Sequence, residues 1–124
     1  MNIVLWVLQV LLALAFLAHG WLYLWPPAEM VEQMNASIPP ALRLFIGVAE
    51  VLAAIALVVP GVVRVAPWLV PLAAAGLAIV MISATIFHAW RSEVSAAVTT
   101  AVLLVIVSLV AYLRWRVIPI RARP

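Results

Sequence analysis

The sequence contains no cysteine, no lysine and no aspartate. Without cysteine there are no disulfides, no thiol catalysis and no thiolate-held metal, so any redox role has to rest on a bound cofactor or a partner. Charge of either sign is scarce: only 9% of the 124 residues are charged, against about 25% in an ordinary soluble domain. All seven basic residues are arginine, and the formal net charge is +3. These arginines are spread thinly along apolar runs, whereas patches that neutralise phosphates need a solvated basic surface, so nucleic acid is excluded as a partner.

What fills the chain instead is hydrocarbon. Hydrophobic residues make up 69% of it, against roughly 45–50% in a soluble domain. So few polar side chains cannot cover the surface of a protein this size, and the bilayer core has to be the solvent for most of them. Residues 3–25 carry no charge, and at about 1.5 Å per residue they cross about 34 Å. A secretory signal would carry a basic leading segment, which Met1-Asn2 lacks, so this run is expected to be a retained span. Pro26-Pro27 ends it. Met30, Val31, Met34 and Ile38 then recur at helical spacing among Glu29, Glu32, Gln33 and Asn35, the pattern of a short helix lying in the interface. Pro39-Pro40 closes that segment.

Further spans are expected at 41–59, interrupted by Arg43 and Glu50 and stopped at Pro60-Gly61, at 68–90, and at 94–113 after the Arg91-Ser92-Glu93 hairpin. A basic tail with Arg114, Arg116, Arg121 and Arg123 follows and is expected to leave the lipid. The chain therefore reads as a single all-α domain over 1–124, an integral membrane four-helix antiparallel bundle with short connections. Arg64 and the four tail arginines share one side with the N-terminus, while Arg43 and Arg91 face the other with Glu29, Glu32 and Glu93. The positive-inside rule then predicts an N-in/C-in, multi-pass protein of a prokaryotic cytoplasmic (inner) membrane.

Four short spans without broken helices leave little room for alternating access, which ranks a transporter last. Glu50 is the first residue of chemical interest. It lies about 13 Å below the outer surface at the standard helical rise, where a carboxylate is expected to be protonated or paired and to face the bundle interior. His19 lies about 9 Å inside the same face by the same count, and His88 lies within a turn of it. Thr85 and Ser83 on the third span, and Thr99 and Thr100 on the fourth, reach comparable depths. Tyr23 and Trp21 sit within about a turn of His19 and can line a pocket, whereas Trp25, Trp68, Trp90 and Trp115 fall at expected span ends as interface anchors.

Glu50, His19, His88, Thr85 and Tyr23 are thus the candidate polar cluster. It can hold a quinone headgroup or a proton, or it can be hydrogen-bonded glue between helices. Bis-histidine haem and a His-Glu zinc site are disfavoured, because the two histidines differ in depth by about four residues and no metal-binding spacing is present.

Several segments together resemble one family: Phe16-Leu17-Ala18-His19-Gly20 through Pro26, Ile46-Gly47-Val48-Ala49-Glu50-Val51-Leu52, Pro60-Gly61-Val62-Val63-Arg64, Pro67-Trp68-Leu69, Val80-Met81-Ile82-Ser83-Ala84-Thr85, His88, Arg91 and Glu93. Over nearly the whole chain the sequence resembles the DoxX family of small bacterial four-helix membrane proteins. The resemblance implies a compact four-helix bundle. It also implies a place beside membrane complexes: the family name comes from a small subunit of an archaeal thiosulfate:quinone oxidoreductase and from terminal-oxidase systems. Other relatives are associated with redox-stress complexes, and distant animal relatives act as assembly chaperones. Many members have a lysine shortly after the glycine of the first span, where this sequence has Tyr23.

One scaffold with several activities does not fix a function. The expectation is a non-catalytic accessory subunit or assembly partner that contacts lipid and other membrane subunits or a second copy of itself, and that needs no cofactor. The alternative is a quinone-linked redox component with Glu50 and His19 handling protons. Alanine and glycine on more than one helix face, such as Ala13, Ala15 and Ala18, or Ala73 through Gly76, argue for contacts beyond one bundle interior.

Overall fold

A computed structural model describes residues 1–124 and contains helices only. Four are long and apolar enough to cross a membrane: α1 (Asn2–Leu24), α3 (Pro40–Val63), α4 (Leu69–Trp90) and α5 (Val94–Tyr112), the last extended by a π turn at Leu113–Val117. Helix α2 (Ala28–Ser37) joins the first two. Only 20 of the 124 residues are buried. Outward side chains such as Ile3, Phe45, Leu52, Ile79, Ile86 and Val105 are exposed, and only lipid solvates such a surface.

Prolines set the entry to α2 and α3. Pro27 precedes α2, and Pro39 precedes α3 with Pro40 in its first turn, where the missing amide would have had no partner anyway. Helix α2 buries no residue. Its Met30, Val31 and Met34 are half-buried while Glu29, Glu32, Gln33 and Asn35 are exposed, the two-sided character expected of an interfacial helix.

The second span differs from its expected limits. Helix α3 runs through Pro60 and Gly61 to Val63 and stops at Arg64, whose φ of 60° is left-handed. Proline removes only the hydrogen bond back to residue 56, a loss that a membrane helix with close neighbours tolerates. Gly61 is buried because a side chain there would lie 2.7 Å from the Trp6 ring and 2.8 Å from Ile120. The fourth span differs as well. The chain stays helical past residue 113, with the Ile118 amide donating to the Leu113 carbonyl at 2.7 Å, the five-residue reach of a π turn.

Helix α1 packs along α3, α4 along α5, and α3 along α4, whereas α1 and α5 touch only lightly. The α1–α3 register is antiparallel and pinned by glycine. Gly20 meets Gly47, and a Cβ on Gly20 would lie 2.9 Å from the Gly47 carbonyl oxygen, the close backbone approach that small residues permit between membrane helices. That crossing places His19 beside Glu50 and Gln9 beside Leu57. The apolar core between them is Leu5, Leu12, Phe16, Ala54, Leu57, Ala74, Leu77, Met81, Val107 and Val110.

Candidate functional site: a Glu50–His19 pair at the open end of the bundle

Glu50 lies on the buried stripe of α3 with Gly47, Ala54, Leu57 and Gly61, spacings of three and four residues that share one helical face. Its side chain is 1% exposed. Oε2 lies 2.6 Å from His19 Nδ1 on α1, a hydrogen bond that ties the two helices side chain to side chain. Oε1 is buried without a partner. The imidazole is different, with 47% of its side chain exposed, so the ring reaches inward with one nitrogen and leaves its outer edge open.

Tyr23, one turn on, stacks its ring against His19 with centroids 4.4 Å apart. The Tyr23 carbonyl, one of the unsatisfied groups at the end of α1, accepts a hydrogen bond from the Arg43 guanidinium. A cation at a helix C-terminus also complements the helix dipole. Arg43 is buried in consequence, and its Nε has no partner. The sequence placed Arg43 at the outer surface without assigning it this contact.

Two other candidates are engaged elsewhere. Thr85 lies 2.7 Å from the Met81 carbonyl and 2.9 Å from the Thr100 hydroxyl, which joins α4 to α5. His88 bonds Glu93 at 3.2 Å, and Arg91 reaches the same carboxylate oxygen at 3.1 Å. The His88 hydrogen bond, ahead of the Arg91 charge, holds the Glu93 carboxyl below the usual carboxylate range. No hydrogen bond links Thr85 or His88 to His19 or Glu50. Histidines and glutamates nowhere gather in threes.

The surroundings of the pair are asymmetric. The only buried residues of α5 are Val107 and Val110, both toward its C-terminal end. Its other half, which shares the His19 end of the bundle, buries nothing. An open-edged imidazole, fixed by a buried carboxylate and stacked on a tyrosine, can give or take one hydrogen bond toward whatever lies beside α1, or pass a proton to it.

At the opposite end, sequence reasoning missed a second buried polar group. Gln9 is fully buried, and its amide donates to the Leu57 carbonyl at 2.6 Å. Its Oε1 accepts from Arg114 Nε at 2.7 Å. Arg114 Nη1 reaches Asn2 Oδ1 at 2.7 Å and the Ile118 carbonyl at 3.0 Å, and the guanidinium lies 5.2 Å from the centre of the Trp6 ring. Arg114 is therefore part of the interior, 2% exposed, and not of a tail that leaves the membrane. The signal was periodic. Gln9 falls on the stripe Leu5, Leu12, Phe16 and Gly20, and Arg114 falls seven and four residues along from Val107 and Val110.

Comparison with known proteins agrees with this architecture at the level of family alone. Neither a curated protein nor a solved structure matches the chain. The model of the DoxX-like family matches residues 7–110, a stretch that runs from α1 through most of α5. This multi-pass membrane protein belongs to the DoxX-like family.

Proposed function

We propose that this protein is a non-catalytic accessory subunit or assembly partner of a larger membrane complex, and that it docks through the His19 end of its bundle. The observation that carries this reading is the half-exposed His19 ring held at 2.6 Å by a wholly buried Glu50. A hydrogen-bonding edge facing hydrocarbon is unfavourable, and a neighbouring membrane helix with a polar residue satisfies it. At the same end of the bundle, α5 has half its length without a buried residue. With the arginine asymmetry, this face lies in the outer half of a prokaryotic cytoplasmic membrane, and both termini lie inside. Reporter fusions at residues 1 and 124 are expected to read cytoplasmic, and one near Glu32 external.

The absence of native cysteine makes the test clean. Ala15→Cys, one turn from His19, is expected to crosslink to a second polypeptide in native membranes, whereas Ile79→Cys, exposed on α4, is not. Equal labelling at both positions would contradict docking at this face.

The same pair supports a second reading, a quinone-linked redox component, because an acid–imidazole couple open to lipid can exchange a proton with a quinone headgroup. Quinone turnover by the isolated chain, lost in Glu50→Gln and His19→Gln, would favour that reading over the first.

A further inference from the structure

The Arg114 end of the bundle holds five arginines, at positions 64, 114, 116, 121 and 123, and no acidic side chain. The four glutamates lie elsewhere: Glu29 and Glu32 on α2, Glu93 in the α4–α5 hairpin, and Glu50 with His19. Arg114 is thus a buried cation whose partners are neutral: the side-chain amides of Gln9 and Asn2 and the Ile118 carbonyl. Its Nη2 is buried and has no partner. An uncompensated buried charge is costly, and the neutral acceptors offset that cost only in part.

The chain after the π turn folds back and makes a wall. Arg64 donates to the carbonyls of Arg121 and Ala122 at 3.0 and 3.4 Å, the Arg123 side chain donates to the Val63 carbonyl at 2.7 Å, and the Arg123 amide donates to the Arg64 carbonyl at 2.9 Å. Between this strap and the start of α4 lies a crevice of about 330 Å³. Arg114 contributes to its lining, with Trp68 and Pro71 on one side and Ile120 and Ala122 on the other.

The geometry points to a binding site for the phosphodiester of an anionic phospholipid in this crevice, with Arg114 as the principal contact. Nε and Nη1 of Arg114 are committed within the chain, which leaves Nη2 as the nitrogen whose N–H groups can meet a phosphate oxygen. Trp68 and Trp115 line the crevice, and tryptophan settles at headgroup level. Proline and isoleucine walls suit the glycerol and upper acyl chain. A basic pocket between helix ends is the general form of headgroup recognition. The net positive field of Arg64, Arg116, Arg121 and Arg123 favours a headgroup with uncompensated negative charge over a zwitterionic one, because the choline cation would share that field.

Native mass spectrometry of the full chain in detergent, titrated separately with phosphatidylglycerol, phosphatidylcholine and inorganic phosphate, tests this. Phosphatidylglycerol is expected to bind at least about fivefold tighter than phosphatidylcholine, the scale of one basic residue near a membrane surface, and inorganic phosphate more weakly still. Arg114→Gln is expected to weaken phosphatidylglycerol binding by at least about fivefold, since it removes the phosphate contact. Because Arg114 also supports the fold, Ala122→Trp supplies the independent variant: it fills the crevice without touching the Gln9–Arg114 contacts, and is expected to weaken phosphatidylglycerol binding to the same degree. Equal affinity for the two lipids, undiminished phosphatidylglycerol binding in Ala122→Trp, or inorganic phosphate bound as tightly as phosphatidylglycerol would each overturn the assignment.

Discussion

The two ends of this bundle bury polar groups in opposite ways. At the Arg114 end, Gln9 is fully buried and spends both ends of its amide, one on α3 and one on the last turn of the fourth span, so a single side chain ties three helices together. At the His19 end, Glu50 makes one hydrogen bond to a ring that is itself half exposed. Hydrogen bonds between membrane helices contribute only about 0.6 kcal/mol on average, so the difference lies less in energy than in closure. At one end the bridging side chain, Gln9, finds its partners within the chain. The other presents a hydrogen-bonding edge outward, and that is why it is the candidate for function.

The largest effect is expected from Gln9→Leu. It strips the Arg114 Nε of its acceptor inside the bundle, and an unsatisfied hydrogen bond to a charged group costs about 2–3 kcal/mol. Unfolding in mixed micelles should register that loss. A change below about 0.5 kcal/mol would show that Arg114 finds another acceptor, and the contrast between the ends would fail.

Glycine contacts sharpen the contrast from the backbone side. Gly20→Ala drives a methyl to within 2.9 Å of a carbonyl oxygen that cannot turn aside, and should cost about 2 kcal/mol. Gly61→Ala meets the ends of two side chains, Trp6 and Ile120, which can shift, and should cost less. Thermal unfolding of the two variants side by side checks the order.

Substitution of Glu50 should matter less for stability than either. Glu50→Gln keeps an acceptor and adds a donor for His19, so the change is expected within about 0.6 kcal/mol. Glu50→Leu removes the interaction and should cost about 1 kcal/mol. A larger loss in Glu50→Gln would mean that the charge itself holds α1 to α3.

The smallest effect belongs to the α4–α5 hairpin. The Glu93 carboxyl, held low mainly by the His88 hydrogen bond, contributes stability that is present above its unfolded-state value and is lost as pH falls through its folded one. The group is exposed, so salt should screen the contribution. Acid titration of wild type against Glu93→Gln isolates it, and identical curves would remove the hairpin from the account.

Much of the architecture is legible in residue order. Run lengths and the proline pairs at 26–27 and 39–40 mark the first two spans and the helix between them, because a bilayer fixes how long an apolar helix must be. Pro60-Gly61 misleads, since proline's cost to a helix depends on whether the freed carbonyl finds company, and sequence alone does not supply the neighbour.

The polar clusters were legible only in depth. Counting residues along a helix put Glu50, His19 and His88 in one half of the membrane, but depth does not give the direction a face points. His88 bonds into the hairpin and Thr85 bonds to Thr100. Gln9 carries no charge to draw notice, and Arg114 follows an apolar run, so both are seen only by asking which residues share a stripe with Leu5 and Val107.

The central claim is that His19 presents its open edge to a partner, whereas Gln9 at the other end ties the helices of the fold together. It is tested most directly by measuring stability and complex formation together in two variants, His19→Gln and Gln9→Leu. Glutamine at position 19 can still donate to Glu50 but removes the open ring edge. The account predicts that His19→Gln unfolds within a few degrees of wild type yet no longer crosslinks to its partner from position 15, while Gln9→Leu loses stability. His19→Gln that keeps the partner crosslink in full would contradict it.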